Sequence, residues 1–339
     1  MKIGIIGATG MIGHHTANAV LKNGHQLVVI HRKSSNLSSI QDLNFTSSIG
    51  DLNDQKSLIS ALSNLDAVIN CAAYYPTKPI PWKEEVKTAV SQMNNFYHAC
   101  EAVNIGKIVY LGAAIALRKP KGFIALSKHP EELPATEEFL YPQRPQDKTP
   151  YLQVKWEMDK LAMEKAKVGL PVVTAIPSMC FGEFDSTPST GRLIVEIANR
   201  TIPGYLRGKR NVIYTGDAGK GLVLACEKGK PGERYLFTNR NISTDDLVKI
   251  IAKIAQVPPP KLVIPLPIAK LVSKFQENRY NLLGGELPKL TSSAIAVMAS
   301  GQFLDGSKAR KELGFQPEVD IEEAISRAFN WFKVQGYIK

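Results

Sequence analysis

Residues 2–13 read KIGIIGATGMIG, a short apolar run that passes directly into a stretch with glycine at every third position. A helix-like segment follows near residues 12–22. A strand that ends in a glycine-rich turn and continues into a helix is the arrangement that holds a dinucleotide pyrophosphate. The sequence therefore predicts a phosphate-binding loop at the beginning of the chain.

Each glycine of this loop has a distinct expected role. Gly7 allows the tight turn, Gly10 lets backbone approach the phosphates, and Gly13 lets the helix pack closely on the strand. The free N–H groups and the positive dipole end of the helix then face the phosphates. The residues predicted to bind the cofactor here are Gly7, Thr9, Gly10, Met11, Ile12 and Gly13.

The first half of the chain alternates β-like runs with helix-like segments. The predicted strands are KIGII (2–6), QLVVI (26–30), NFTSSI (44–49), AVIN (67–70), KIVYL (107–111) and VVTAI (172–176). The helical segments lie near 12–22, 54–63, 84–103 and 151–168. This alternation predicts an α/β fold with a Rossmann-type doubly wound parallel sheet.

The pattern loosens after residue 177, which predicts a second, smaller unit. We expect residues 1–177 to form the dinucleotide-binding domain, with 211–240 returning to it through strands at 211–216 and 234–238. Residues 178–210 and 241–339 then form mainly a C-terminal substrate-binding lobe. The apolar stretch 262–283 is interpreted as core, with pocket lining as the alternative. Segment 118–150 is either a lid or an exposed insertion.

Composition excludes several classes of protein. The 339 residues carry a net charge of +11, but the basic residues are scattered, which argues against nucleic-acid binding. The four cysteines form no CxxC and the six histidines no HExxH, so we expect no metal site. Free thiols fit a reducing cytoplasm. We identify neither a signal peptide nor a membrane span, because the longest later apolar run is short and contains two prolines.

The end of the second predicted strand favours a phosphorylated ribose. NAD sites place an acid here, whereas this chain has no acid between residues 30 and 35. Guanidinium, ammonium and hydroxyl groups suit a 2′-phosphate, so the pattern favours NADP(H) over NAD(H). A solvated basic turn is the alternative. The residues concerned are His31, Arg32, Lys33 and Ser35.

Two further strand ends fit the same cofactor. Asp51 and Leu52 follow the third strand, where a carboxylate can accept a hydrogen bond from an adenine amino group. Cys71, Ala72 and Ala73 follow the fourth strand, where small residues let backbone lie beside the cofactor.

Tyr151 and Lys155 begin the fourth helical segment, and the spacing i, i+4 places both side chains on one helical face. A nearby ammonium favours the ionised phenol and lowers its pKa. The pair therefore predicts proton transfer by Tyr151, with Lys155 supporting it and holding a ribose.

These motifs resemble one family in order and spacing. GATGMIG (7–13), GDLND (50–54), NCAA (70–73), YLQVK (151–155) and IPSMCFGE (176–183) are similar to those of the extended short-chain dehydrogenase/reductases, or NAD-dependent epimerase/dehydratase family. Within it, PSTGRLI (188–194), KGKPGERYLFTNRNIS (228–243), KARKELGF (308–315) and NWFKVQGYIK (330–339) resemble dihydroflavonol-reductase-like proteins and bacterial relatives assigned as nucleoside-diphosphate-sugar epimerases.

The resemblance implies that Tyr151 is the acid/base, that Lys155 binds the nicotinamide ribose, and that Pro177 and Ser178 form the turn beside the nicotinamide. It also implies a homodimer through a helical face. The substrate would be a small carbonyl compound or a sugar nucleotide.

The chain departs from the family pattern after the fifth strand. Ala113 stands where a serine or threonine usually donates a hydrogen bond to the reacting oxygen, a contact typically worth about 10²–10³ in rate. Ile176 replaces a usual arginine, and Ala89 stands where an asparagine is expected, with Asn94 and Asn95 one turn later. The candidates for a substitute donor are Tyr74, Tyr75, Ser127 and Ser178.

Three hypotheses remain open. The chain is an NADP(H)-dependent oxidoreductase acting on a carbonyl or alcohol, a nucleotide-sugar epimerase or dehydratase that retains NAD, or a regulator that binds NADP(H) without turnover. The basic turn argues against the second hypothesis, and the intact Tyr151–Lys155 pair argues against the third.

Overall fold

The computed structural model describes residues 1–72, 74–76, 80–119, 133–285, 288, 291–299 and 301–339. The strands in this part of the chain are β1 (Lys2–Ile6), β2 (Gln26–His31), β3 (Thr46–Ile49), β4 (Ala67–Asn70), β5 (Lys107–Leu111), β6 (Val172–Pro177), β7 (Met179–Phe181), β8 (Lys209–Tyr214), β9 (Arg234–Phe237) and β10 (Arg240–Ser243). The helices are α1 (Met11–Lys22), α2 (Gln55–Leu62), α3 (Trp82–Ala102), α4 (Pro150–Lys167), α5 (Arg192–Ala198), α6 (Thr215–Lys228), α7 (Thr244–Ile254), α8 (Leu266–Leu283), α9 (Ser292–Ala299), α10 (Ser307–Leu313) and α11 (Ile321–Val334).

Among the described residues, seven strands form one sheet in the order β3-β2-β1-β4-β5-β6-β9. Every neighbouring pair is parallel. The strand order reverses between β1 and β4, and ligands bind at such a point, outside the carboxyl ends of the strands. The predicted α/β class and parallel sheet are confirmed.

Helices cover both faces of this sheet because its strands are apolar on both sides. On one face, the core joins β1, β2 and β4 to apolar side chains of α1 and α6. On the other face, Leu58 of α2, Phe96 of α3 and Met158 of α4 pack over the same strands. Helices α1 and α4 therefore lie on opposite faces of the sheet.

A second sheet has the order β10-β8-β7 and packs under α5, α7 and α11. The prediction that 211–216 returns to the main sheet is wrong, because β8 pairs with β7 and β10 instead. The prediction for 234–238 is confirmed, because β9 pairs with β6. The division into a cofactor domain and a substrate lobe stays a prediction.

The core interpretation of 262–283 is also wrong for most of α8. Only Ala269 and Ser273 of this helix are buried, whereas Leu271 is 71% exposed. The stretch has core-like composition, but its helix lies at the surface of the fold. Among the described residues, no helix combines the length and apolarity needed to cross a membrane. The four cysteines are free thiols, as the sequence predicts.

Candidate functional site

The glycine loop has the geometry that its sequence predicts. Gly7 adopts a φ of +86°, and a Cβ there would lie 2.9 Å from the backbone nitrogen of Ala72. A Cβ on Gly13 would lie 2.0 Å from the carbonyl oxygen of Gly7. Both positions therefore require glycine for reasons internal to the fold: a left-handed turn at Gly7 and close helix–strand packing at Gly13.

Gly10 differs from the other two glycines. A Cβ at this position would have one neighbour within 4 Å, the carbonyl oxygen of Gly7 at 3.5 Å. Gly10 is also the N-cap of α1, with φ −85° and no side-chain cap. The fold itself does not demand glycine here. The open space in front of the helix N-terminus fits a pyrophosphate approaching the backbone.

The end of β2 presents two uncovered cations. Arg32 and Lys33 are exposed, and neither has a hydrogen bond or ion pair from its side chain to another described residue. Between them and the sheet, the His31 ring is fixed, because Nδ1 donates to the Arg32 carbonyl oxygen at 2.9 Å and Nε2 lies 2.6 Å from Ser47 Oγ. Ser35 closes the turn by donating its N–H to the Arg32 carbonyl.

The loop after β3 is held by hydrogen bonds to its neighbours. Oδ1 of Asp51 accepts from the backbone and side-chain nitrogens of Asn53, at 2.9 and 3.0 Å. The carbonyl of Leu52 accepts from Nδ2 of Asn95 at 2.9 Å. Asn95 therefore shapes this loop, whereas Ala89 is buried in the α3 core.

The end of β4 lies directly against the glycine loop. The Ala72 N–H donates to Asn70 Oδ1 at 3.0 Å, and the Cys71 N–H donates to the Ile6 carbonyl at 2.9 Å. Burial raises the pKa of the Cys71 thiol to about 12, so this cysteine stays protonated. The structure thus brings Gly7 and Ala72 together across the switch point. Ala73 lies outside the described residues.

Tyr151 and Lys155 share one face of α4, as their spacing predicts. The Lys155 Nζ lies 5.7 Å from the centroid of the Tyr151 ring. Lys155 is 5% exposed, and burial lowers its pKa to about 8. Burial raises the pKa of Tyr151, and Tyr75 adds to that rise. The pKa shift of the phenol is therefore opposite to the expected one, because desolvation by burial is its main cause.

Local sequence fixes where α4 begins. Asp147 Oδ1 accepts from the Thr149 N–H at 2.9 Å and from its hydroxyl, and Pro150 occupies the first turn of the helix. The buried amide of Gln153 donates to the carbonyls of Pro145 and Asp147. The sequence reasoning missed Asp147 and Gln153. An Asp-x-Thr-Pro helix start is the signal that could have identified the former.

Three contacts hold the loop before α3 and the beginning of α3, and one of them reaches α4. The Tyr75 ring lies 4.7 Å from the Tyr151 ring, between centroids. The Tyr74 hydroxyl donates to Glu85, a carboxylate that is 1% exposed, and the pKa of Tyr74 is raised to about 12, mainly by burial and further by Glu85. Trp82 lies 5.4 Å from the Arg144 guanidinium. Nothing in the sequence alone pointed to Glu85 as a partner.

The proposed substitute donors differ in whether their hydroxyl groups already have a hydrogen-bond partner. The Tyr74 hydroxyl is committed to Glu85. Ser178 is 7% exposed, and its buried Oγ has no hydrogen-bond partner among the described residues. It follows Pro177 at the carboxyl end of β6, and its N–H bonds the Phe237 carbonyl at 2.9 Å. An unpartnered buried hydroxyl is unusual and fits a bound group. Ser127 lies outside the described residues.

A cavity of about 600 Å³ lies beside the beginning of α4. The loop after β5 contributes Ile115 and Leu117, and α4 contributes Leu152. Helices α8 and α9 form the other wall. Segment 118–150 lines the cavity as well, through Tyr141, Asp147 and Thr149. In its described part Ala135 is buried against Leu304, whereas Leu133 is 75% exposed, so the choice between a lid and an exposed insertion stays open.

The described residues contain no group of three His, Cys, Asp or Glu side chains that could hold a metal ion. Apart from the Asp51 carboxylate, the polar groups described above at the carboxyl edge are mainly backbone N–H groups, hydroxyls and cations. Such a donor set suits phosphate and ribose oxygens.

A family model for the NAD-dependent epimerase/dehydratase family matches residues 3–237. The chain belongs to this family. Family members are oxidoreductases and epimerases that use NAD(P). The match covers every strand of the main sheet and the Tyr151–Lys155 pair.

Two individual proteins are similar to this chain over nearly its full length. A nucleoside-diphosphate-sugar epimerase from Pseudomonas aeruginosa has a solved structure that is 37% identical, with a TM-score of 0.84 over 100% of this chain and 99% of that one. A protein from Synechocystis sp. named as a presumed dihydroflavonol 4-reductase is 27% identical over 99% of this chain and 95% of its own length. The family resemblance identified in the sequence is thereby confirmed.

A third relative is the sterol demethylase protein B of Methylococcus capsulatus, 24% identical over 98% of this chain and 99% of its own length. This chain is thus similar to proteins that are named for different substrates. Family membership alone therefore does not select the substrate.

Proposed function

We propose that this protein is an NADP(H)-dependent oxidoreductase that transfers a hydride to or from a carbonyl or alcohol carbon. The observation that carries the proposal is the Tyr151–Lys155 pair on one face of α4, a helix whose beginning lines a cavity of about 600 Å³ through Thr149 and Leu152. A sheet-edge phosphate loop and an acid/base pair next to a cavity are the parts that such a reaction requires.

In this proposal the nicotinamide cofactor supplies or accepts the hydride. Tyr151 donates the proton to the developing alkoxide, since its raised pKa keeps the phenol protonated at neutral pH. Lys155 stabilises the resulting phenolate and binds ribose hydroxyls. Ser178 takes the place of the missing hydroxyl at Ala113, because its Oγ is buried and has no described partner. Tyr75 covers the phenol and excludes water.

The cofactor preference follows from charge at the end of β2. Arg32 and Lys33 are exposed and unpaired among the described residues, so both are available to a ribose 2′-phosphate. Gly10, Met11 and Ile12 at the beginning of α1 would bind the pyrophosphate, supported by the open space at Gly10. Asp51 would accept from adenine through Oδ2, which has no hydrogen bond to a described residue.

A nucleotide-sugar epimerase with a retained NAD is the second candidate. The 37% identical structure from Pseudomonas aeruginosa carries that name. Three arginines that could bind a diphosphate argue against it, because each already has a protein partner. Arg192 pairs with Glu196, Arg207 pairs with Asp245, and the buried Arg210 donates to the carbonyls of Lys209 and Met298. A diphosphate would have to displace these contacts.

The test is to denature the purified protein, identify any released nucleotide, and titrate the emptied protein with NADPH and NADH. We expect exchangeable binding that favours NADPH, followed by carbonyl reduction that Tyr151→Phe lowers by about 10²–10⁴-fold while cofactor affinity is retained. Tightly held NAD would support the epimerase instead. Unchanged turnover in Tyr151→Phe would contradict the acid/base role, and binding without any turnover would indicate a regulator.

A further inference from the structure

Helix α8 carries a row of large apolar side chains that face solvent. The α8 apolar row consists of Ile268, Leu271, Val272, Phe275, Leu282 and Leu283. Phe275 is 68% exposed and Leu282 is 83% exposed. Seven of the fourteen large apolar side chains that are exposed in the described part of the chain lie between residues 262 and 283. Single exposed apolar residues need no explanation, but a concentrated patch marks an interaction surface.

The row follows the helical period. At about 100° per residue, its six members fall within an arc about 120° wide. The opposite arc of the same helix lines the cavity, through Lys270, Ser273, Lys274, Glu277 and Asn278. One side of α8 therefore faces the candidate substrate cavity, while the other presents an apolar surface outward that Arg279 interrupts.

The charges around the α8 apolar row have one sign. Lys261, Lys270, Lys274 and Arg279 are exposed, and none has an ion pair with another described residue. The acid of the helix, Glu277, is half-buried and accepts hydrogen bonds from the N–H and hydroxyl of Ser292. A helix with one apolar face and uncompensated cations, most of them on its polar face, is the pattern of a helix that lies in a membrane interface.

We propose that the α8 apolar row docks this protein on the surface of a bilayer containing anionic lipids, with α8 lying in the plane of the interface. The apolar side chains enter the headgroup boundary, and Arg279, which falls within the arc of the row, contacts lipid phosphates. The helix has 18 residues, a length of about 27 Å, and its polar face keeps it from crossing the membrane. The net charge of +11 adds long-range attraction to such a surface.

Charge also selects the bilayer over a second copy of this chain. A two-fold interface brings the same patch of both subunits together. Arg279 is exposed and falls within the arc of the row, so pairing α8 with itself would bring Arg279 near its own copy. Like charges across an interface are repulsive, whereas an anionic surface neutralises them.

Docking would place the candidate cavity next to the lipid, because α8 forms one wall of it. This step rests on the function proposed above. A cavity next to lipid favours a carbonyl substrate with an apolar skeleton that partitions into membranes. Lipid binding itself needs no turnover, so the two proposals fail independently.

The experiment is flotation of the full-length protein with vesicles of phosphatidylcholine, with and without about one-third phosphatidylglycerol. Leu271→Glu combined with Phe275→Glu places two charges in the row at exposed positions, where folding tolerates them. The matched control combines Val168→Glu with Val334→Glu, which are 75% and 82% exposed on other helix ends. Circular dichroism and melting temperature check that both variants fold.

We expect the wild-type chain to float with anionic vesicles and to bind neutral ones at least about tenfold more weakly. The Leu271/Phe275 variant should lose about tenfold or more in affinity, while the Val168/Val334 variant binds as wild type. Absence of wild-type flotation, or equal binding by the two variants, would overturn the proposal. So would a dimer in solution that the Leu271/Phe275 variant dissociates, because the row would then be covered by a second copy.

Discussion

The ring of Tyr75 lies over the ring of Tyr151, with 4.7 Å between centroids and 46° between planes. Tyr75 itself is 51% exposed, so it stands between Tyr151 and solvent. Burial raises the pKa of Tyr151, and Tyr75 adds to the rise, which keeps the phenol in its proton-donating form. Under the proposed function, this protonated phenol supplies the proton that carbonyl reduction requires.

The first prediction concerns pH. Burial lowers the pKa of Lys155 to about 8, so the ammonium form is present below that pH and is lost above it. We expect kcat/KM for carbonyl reduction to fall as pH rises through about 8. In Lys155→Arg this decline should disappear, because a guanidinium stays protonated. The initial rate is measured as a function of pH for both proteins. An identical decline in the variant would exclude Lys155 as the origin of the decline.

The second prediction separates the glycines of the phosphate loop. Gly13→Ala places a Cβ 2.0 Å from the Gly7 carbonyl oxygen and should reduce the free energy of unfolding by about 1–3 kcal/mol or more. Gly10→Ala has space within the protein and should cost less than about 1 kcal/mol. It should nevertheless weaken cofactor affinity by about tenfold or more, because the new methyl group faces the pyrophosphate.

Denaturant unfolding and cofactor titration on both glycine variants provide the measurement. Full cofactor affinity in Gly10→Ala would show that the space at Gly10 is not used by the pyrophosphate.

The third prediction tests the substitute donor. Ser178→Ala removes a buried hydroxyl that has no described partner, so the melting temperature should stay constant or rise. If this hydroxyl stabilises the reacting oxygen, kcat should fall by about 10²–10³-fold. Adding Ala113→Ser in the same chain should restore part of kcat, since it returns a hydroxyl to the position where the family pattern has one. Steady-state kinetics of the single and double variants decide, and wild-type kcat in Ser178→Ala would exclude this donor.

The fourth prediction concerns cofactor choice. Arg32→Ala should raise the Kd for NADPH by about 10–100-fold, as expected for losing a charge-assisted hydrogen bond, and should leave the Kd for NADH within about twofold. Lys56→Ala is the matched control, an exposed cation in the first turn of α2. Fluorescence titration with both nucleotides gives the ratio. An equal effect on both would assign Arg32 to the solvated basic turn.

Local sequence determined much of this protein. The strand–GxxGxxG–helix stretch, the alternation of strands and helices, and the spacing of Tyr151 and Lys155 each depend on neighbouring residues in the chain. The structure agrees with them because backbone preference and helical period act over a few residues. The turn at Gly7 is such a case: its φ of +86° follows from the type of residue that the turn requires.

Only the tertiary structure determined which residues distant in the sequence contact one another. It placed β8 in the second sheet, Tyr75 over Tyr151, and the apolar residues of α8 outside the core. It also reversed the expected pKa shift of Tyr151, because the desolvation of a phenol depends on everything packed around it. Strand pairing, burial and electrostatics sum contributions from residues distant in sequence, and the local pattern of any one segment does not contain them.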